Sequence, residues 1–236
     1  MEGVDYILPD LTPELLIKAY TVGIFPMSEG ADDPSIFWVQ PEMRGVLPLD
    51  KFHLPRSLRK AMRKNPFTIK VDTAFADVMR LCAEEAPDRD TTWINDKIMQ
   101  AYVGLHNIGH AHSVECWLED ELVGGLYGVK VGAAFFGESM FSRKTNASKI
   151  ALTHLVHRMR LGGFQLLDTQ FTTPHLEKFG VMEVTKEDYE TLLADAVSQE
   201  ANFFPYSKTG SKSDNLDGYD GGGTSDSILQ SFNQIS

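Results

Sequence analysis

The sequence predicts a mixed α/β fold with a small separate unit at its front, and three stretches carry that expectation. Residues 113–140 read as consecutive strands: Val114, Cys116 and Leu118 alternate with Glu115 and Trp117, Glu119-Asp120-Glu121 makes a turn, and strands over 122–131 and 133–140 follow. Residues 146–161 place Ile150, Ala151, Leu155 and Met159 at helical spacing and stop at Gly162-Gly163. Residues 164–170 are then a dense apolar run whose polar members fall at its C-terminal end, the pattern of a central strand. Strands interleaved with helices in this order give a mixed sheet covered by helices.

The remaining elements can be justified from the front. Thr12-Pro13 supplies an N-cap followed by a first-turn proline, Leu15, Leu16, Ala19 and Tyr20 give the helix an apolar face, and Gly23 ends it. Residues 23–30 read as a bend into a loop, and 36–39 as a short strand closed by Gln40-Pro41. Leu54, Leu58 and Met62 repeat at helical spacing, with Arg56, Arg59, Lys60, Arg63 and Lys64 on the remaining surface. A strand over 67–71 and a helix from Asp72 to about Glu84 follow, then a charged loop, Trp93, and a helix from Asn95 to about Asn107. A short helix opens at Thr173-Pro174, and a last one is capped by Thr185-x-x-Asp188. The expected organisation is a small unit over 1–52, a larger one over 53–204, and a disordered tail over 205–236. Gly, Ser, Asp and Lys dominate that tail, and Ile228, Leu229 and Phe232 stand unexplained at its end.

Composition narrows the function classes. With 236 residues, 42% of them hydrophobic and 23% charged, the chain can bury a real core. No apolar run is long enough to span a bilayer, and Met1-Glu2-Gly3-Val4-Asp5 lacks the order of a signal peptide, so a cytoplasmic protein is expected. A formal charge of −11 argues against a generic polyanion binder and suits a basic partner. Cys82 and Cys116 lack ligand-like spacing and read as reduced thiols in or near the core. His106, His110 and His112 invite a metal, but the first two would share a helix face only if the helix ran on through Gly109. No metal is expected.

Three features carry chemistry. No acidic residue falls between Lys51 and Lys70, so the basic helix is either a phosphate-contacting face or a solvated one, and charge pattern alone favours neither. Glu138 lies among aromatic and apolar residues, either paired with a cation such as Arg143 or kept for a positive group of a substrate; without more context the ion pair is the better reading. Asp168-Thr169-Gln170 ends the apolar strand, where α/β sheets bind ligands, and a spacing of two sends both polar side chains to one face.

These pieces occur in an order and spacing that resemble a family. They are Gly23-Ile24-Phe25-Pro26, Trp38 with Pro41 and Arg44, Trp93-Ile94, Ala101-Tyr102, Leu105-His106 and Gly109-His110-Ala111-His112-Ser113. Further on come Glu121-Leu122-Val123-Gly124-Gly125-x-Tyr127-Gly128, Gly137-Glu138-Ser139-Met140-Phe141-Ser142, Asn146-Ala147-Ser148-Lys149, and Asp168-x-Gln170 with His175 after it. From about residue 11 to 193 the chain resembles the leucyl/phenylalanyl-tRNA–protein transferases.

The resemblance implies a small N-terminal domain and a larger N-acetyltransferase-like domain. It also implies transfer of Leu, Phe or Met from aminoacyl-tRNA to proteins or peptides beginning with Arg or Lys, marking them for N-degron proteolysis. No cofactor is implied, and a monomer is expected. By the same resemblance Trp38, Trp93 and Tyr102 hold the terminal adenosine, as aromatic faces can for ~1–3 kcal/mol per stacked base. Leu126, Phe135, Met140, Leu152, Leu155 and Leu167 match the pocket for the aminoacyl side chain, with leucine in place of some bulkier members. Thr173 stands where some members carry Asn and bears on acceptor binding. Arg56, Arg59, Lys60, Arg63 and Lys64 match a tRNA-contacting helix.

The reaction sets the remaining expectations. An aminoacyl-tRNA is already an activated ester, and an α-amino group titrates near ~7.7–8.0, so positioning supplies much of the rate. Asp168 and Gln170 are expected to orient the amine and relay its proton, or the Gln170 amide donates to the developing oxyanion. Glu138 is expected to engage the acceptor's positive charge or the adenosine ribose. Two rivals are a coenzyme-A-dependent N-acyltransferase and a non-catalytic tRNA-binding protein. The first needs a glycine-rich turn entering a helix, whereas Gly162-Gly163 follows one. Retention of Glu138, Asp168 and Gln170 together speaks against the second.

Overall fold

A computed structural model describes residues 11–84, 91–205 and 225–232. Residues 1–10, the centre of the charged loop before Trp93, and 206–224 of the expected tail lie outside the described residues. Helix α1 (Pro13–Thr21) starts as its cap predicts, with the Thr12 side chain accepting from Leu15 N. The stretch read as a bend contains a strand, β1 (Phe25–Met27), which pairs antiparallel with β2 (Phe37–Val39). A three-residue strand has no periodicity to read, and only its partner defines it.

Strand β3 (Met43–Val46) leaves this front hairpin and enters a seven-stranded sheet of order β4-β5-β6-β7-β8-β3-β9. A boundary at residue 52 therefore cuts off a strand that belongs to the large sheet. Its partners, β8 (Leu166–Gln170) and β9 (Met182–Thr185), lie more than a hundred residues further on, so nothing local announces it. Strands β4 (Thr68–Val71), β5 (Ala111–Leu118), β6 (Glu121–Val131) and β7 (Ala134–Ser142) form an antiparallel series. Strand β8 alone joins its neighbour β7 in parallel. The crossover that a parallel pair needs is α5 (Ala147–Leu161).

The sheet separates two apolar layers. On one side α2 (Arg56–Met62), α5 and the loop bearing Phe203 bury Leu58, Met62, Ile150, Leu155 and Val156 against Val114, Phe135 and Leu167. On the other, α1, α3 (Phe75–Ala83), α4 (Asp96–Asn107) and α7 (Lys186–Val197) bury Leu16, Val78, Ile98 and Leu193 against Tyr127, Val129 and Phe136. Adjacent residues such as Phe135 and Phe136 thus enter opposite cores. Cys82 and Cys116 are both buried, one in each layer with the sheet between them. Gly124 lets α5 approach the sheet: a Cβ there would meet Ala147 Cβ at 2.3 Å.

Helix α3 begins at Phe75, three residues later than its sequence pattern suggests. Asp72 has a left-handed backbone (φ 58°) and accepts from Ser113 N at 2.7 Å, with His112 Nδ1 also 2.7 Å from its other oxygen. The Glu115 carboxylate accepts from the backbone N–H groups of Thr73 and Ala74. Bonds to β5 thereby replace the first helical turn. The neighbouring histidines have separate uses. His106 Nδ1 lies 2.9 Å from Ala111 O with its ring stacked on Phe75, and His110 Nδ1 lies 3.1 Å from Lys130 O.

The expected disorder of the tail is corrected at its end, where α8 (Ser225–Ser231) packs against α5. Ile228, Leu229 and Phe232 are buried in the same layer as Leu155. Phe232 lies 5.2 Å from the Phe52 ring, with the Arg160 guanidinium 5.2 Å above it, and Ser231 Oγ lies 2.9 Å from His157 Nδ1. Three apolar residues on one short helix face are too few to register beside so polar a stretch, but a preformed groove makes them sufficient. Phe232→Ala is expected to lower unfolding free energy by about 3 kcal/mol in urea titration. An unchanged midpoint would mean that this helix does not bear on stability.

Candidate active site

Strands β7 and β8 pair in parallel only as far as Phe136 and Asp168. Beyond that point β7 continues along β6 to Ser142, while β8 turns away along β3, and a cleft of about 1090 Å³ opens between them. Its apolar wall comprises Leu126, Met140, Leu152, Leu155, Leu167 and Leu176. Phe25, Met27 and Trp93 form one lip, and Thr173, Pro174 and His175 another. This is the carboxyl end of β8, where the topology of open sheets puts ligands.

A β-bulge presents Glu138. Tyr127 pairs with Ser139 and Gly128 with Gly137, so Glu138 is the extra residue of β7 and faces no partner across the ladder. Its carboxyl is buried. Tyr20 Oη donates to Oε1 at 2.6 Å, which leaves the Tyr102 hydroxyl, in contact with Tyr20 Oη, to donate in turn. Tyr102 Oη also lies 3.4 Å from Oε2. Burial raises the Glu138 pKa to about 7, against the opposing pull of the Tyr20 hydrogen bond, the nearby Gln170 amide and the Arg44 charge. Burial likewise pushes both phenols well above their ordinary values, so they stay protonated donors. The expected ion pair with Arg143 is not formed: Arg143 bonds Glu84 at 2.7 Å on the surface.

A second bulge presents Gln170. Gly45 pairs with Gln170 and Val46 with Asp168, which leaves Thr169 as the extra residue of β8. Gln170 takes a left-handed backbone (φ 61°), and its N–H donates to Asp168 Oδ1 at 2.7 Å. Gly45 makes room for the turn, since a Cβ there would sit 2.6 Å from Thr169 Oγ1 and 2.9 Å from the Phe171 carbonyl carbon. The turn overturns the expectation that Asp168 and Gln170 share a face. Gln170 lines the cleft with Leu167 and Thr169, and its buried Nε2 has no hydrogen-bond partner among the described residues. The Asp168 carboxylate is fully buried away from the cleft. It receives Arg44 Nη2 at 2.7 Å, Arg44 Nε at 3.0 Å and Tyr189 Oη at 2.6 Å.

Arg44 is itself enclosed. Its Nη1 donates to Gly23 O at 2.9 Å, and its guanidinium lies 4.8 Å from the Phe25 ring and 4.6 Å from the Tyr189 ring. One side chain therefore ties the turn after α1, strand β8 and α7 together.

Of the residues singled out from the sequence, Trp93, Leu126, Glu138, Met140, Leu152, Leu155, Leu167, Gln170 and Thr173 line the cleft. Trp38, Tyr102, Phe135 and Asp168 do not. Trp38 is exposed on β2, and Met27, on the opposite strand of that hairpin, reaches the lip instead. Tyr102 acts on the site through Glu138, and Phe135 is stacked on Phe203 beneath the sheet. The Thr173 hydroxyl caps α6 (Pro174–Glu177). Arg56, Lys60, Arg63 and Lys64 are exposed on or just after α2, with Arg59 half-buried, and α2 packs on the helix that forms the cleft wall. Tyr20, Met27 and Tyr189 were not foreseen. Tyr20 reads as one more apolar-face residue of α1, and its hydroxyl gains meaning only from a partner 118 positions away.

Comparison with known proteins places the chain in a family. Residues 46–194 match the family described as leucyl/phenylalanyl-tRNA protein transferase, and residues 9–42 match that family's N-terminal domain. The leucyl/phenylalanyl-tRNA–protein transferase of Paramagnetospirillum magneticum (strain ATCC 700264 / AMB-1) is 55% identical over 193 residues, which span 82% of this chain and 92% of the relative. A solved structure, that of L-PGS from Bacillus licheniformis, is similar at 13% identity and a TM-score of 0.37 over 70% of this chain and 55% of that one, too slight a likeness to weigh on fold or function. With both family models matched in order and a relative this similar over most of its length, the chain belongs to the leucyl/phenylalanyl-tRNA–protein transferase family.

Proposed function

We propose that the cleft takes the aminoacylated 3′ end of a charged tRNA and passes Leu, Phe or Met to the α-amino group of a protein beginning with Arg or Lys. In this reading the enzyme acts as a cytoplasmic monomer, without cofactor, and marks its acceptors for N-degron proteolysis. One observation carries the chemistry: a buried carboxyl titrating near neutrality and an amide whose Nε2 has no hydrogen-bond partner among the described residues flank one apolar hole. The leucine and methionine side chains of that hole receive the aminoacyl side chain, and Trp93 at the lip stacks the adenine. A pocket of this kind prefers apolar side chains as a class, because one methylene is worth only about 1–3 kcal/mol.

Glu138 in its ionised form draws in the acceptor's α-ammonium group and removes its proton. The neutral nitrogen attacks the ester carbonyl, the C–N bond forms, the bond to the ribose oxygen breaks, and Glu138 returns its proton to that oxygen. The new amide nitrogen sheds its second proton to the freed Glu138 carboxylate, which releases it to solvent. The Gln170 amide donates to the carbonyl oxygen as its negative charge develops. Asp168 reaches the reaction only through the Gln170 backbone. Transfer of labelled leucine from Leu-tRNA to an Arg-starting peptide tests the whole reading; tRNA binding without transfer would refute it.

Gln170→Ala is expected to lower kcat about a hundredfold while leaving donor binding near native, as for loss of one oxyanion donor. Equal kcat would remove the assignment. Glu138 must be ionised to act, so kcat is expected to rise as pH increases through about 7 and to be lost below it. Glu138→Gln should abolish that limb and leave the one belonging to the acceptor amine, near ~8; a retained limb near 7 would assign it elsewhere. Replacing exposed Lys60 and Arg63 by Ala should weaken tRNA binding and reduce the slope of log K against log salt by about 1 for each phosphate no longer neutralised. An unchanged slope would return that helix to a solvated face.

A further inference from the structure

The ion pair behind the cleft is more elaborate than a structural anchor needs. The Asp168 carboxylate accepts from three groups: its Oδ1 binds the Gln170 N–H and Arg44 Nε, and its Oδ2 binds Arg44 Nη2 and Tyr189. The Gln170 N–H bond closes the left-handed turn that sends the Gln170 amide into the cleft. That turn holds its shape only while Oδ1 stays fixed, and the guanidinium, held between two rings and bonded to Gly23 O, fixes it. Arg44 neither lines the cleft nor has more than 1% of its surface exposed, so it touches no substrate.

We propose that Arg44 is a positioning residue for acyl transfer, acting on turnover through the Asp168-closed turn of Gln170. The forked guanidinium matters as well as its charge. A lysine ammonium carries its three donors on one nitrogen and cannot hold both carboxylate oxygens in one plane while also reaching a backbone carbonyl. Tyr189 shares the task from α7, where its hydroxyl restrains Oδ2. The proposal rests on the role given to Gln170 above. It adds that this role is conferred by a residue contributed by β3, the strand that runs from the front unit into the sheet between β8 and β9.

Steady-state transfer from Leu-tRNA to an Arg-starting peptide, measured on the full chain, tests it. Arg44→Lys is expected to reduce kcat about a hundredfold, the scale of a small misplacement of a reacting group, with the donor KM within about twofold of native. Tyr189→Phe keeps every charge and should reduce kcat about tenfold, again without change in donor KM; it carries the test if the lysine variant does not fold. Native kcat in a folded variant, or a loss confined to donor KM, would overturn the proposal. A double-mutant cycle then separates it from the reading beneath it. Because Arg44 acts through Gln170, Arg44→Lys should cost little further in a Gln170→Ala background, measured under single turnover. Multiplying losses would sink the role of Arg44 and leave that of Gln170 standing, whereas native turnover in Gln170→Ala alone would sink Gln170 itself.

Discussion

The parting of β7 from β8 after Phe136 and Asp168 shapes everything at the site. Two parallel strands that separate must find other partners for their backbone groups, because buried peptide groups left unpaired are costly. Here β7 stays on β6 and β8 is captured by β3, each with one residue too many for its new ladder. The surplus residues, Glu138 and Thr169, make the bulges that deliver a carboxyl and an amide to the opening. The gap is thus a consequence of strand pairing, and β3 is as necessary to it as the strands on its walls.

Two buried carboxyls a few residues of sheet apart meet opposite fates. Asp168 has a guanidinium, a phenol and a backbone N–H upon it, so its charge is matched and its geometry fixed. Glu138 has phenols and an amide nearby but no direct ion-pair partner among the described residues, and burial lifts it to about 7. Arg44 acts on both, as the direct partner of Asp168 and as a more distant positive charge on Glu138. An ion-paired acid beside one left without a direct cation divides structural from proton-handling duty.

Much of this was legible in the chain. The caps at Thr12, Thr173 and Thr185, the helix over 146–161 and the strands over 113–140 are local patterns, and they form where local chemistry asks. The apolar hole was foreseen through the family resemblance, which pointed to Leu126, Met140, Leu152, Leu155 and Leu167, all of them lining it, and to Phe135, which does not. The turn at Gln170 could not, because strand alternation predicts the opposite face and only the close approach of Gly45 permits the left-handed backbone. Nor could the substitution of Met27 for Trp38 at the lip, which depends on which strand of a short hairpin faces inward. The late start of α3 and the docking of α8 have the same origin: partners distant in sequence override a local tendency.

The sequence by itself determined the longer helices and strands and which residues are apolar, acidic or basic, since those depend on neighbours within a few positions; short elements such as β1 and β3 took their identity from partners. It also determined the family, through a long ordered set of motifs. Tertiary structure alone decided which carboxyl is neutralised and which is left to titrate near neutrality, and which side chains face the gap. Those outcomes turn on burial and on contacts such as Arg44 with Asp168, 124 positions apart, and electrostatic energies in a dry interior depend on distances that no linear spacing encodes.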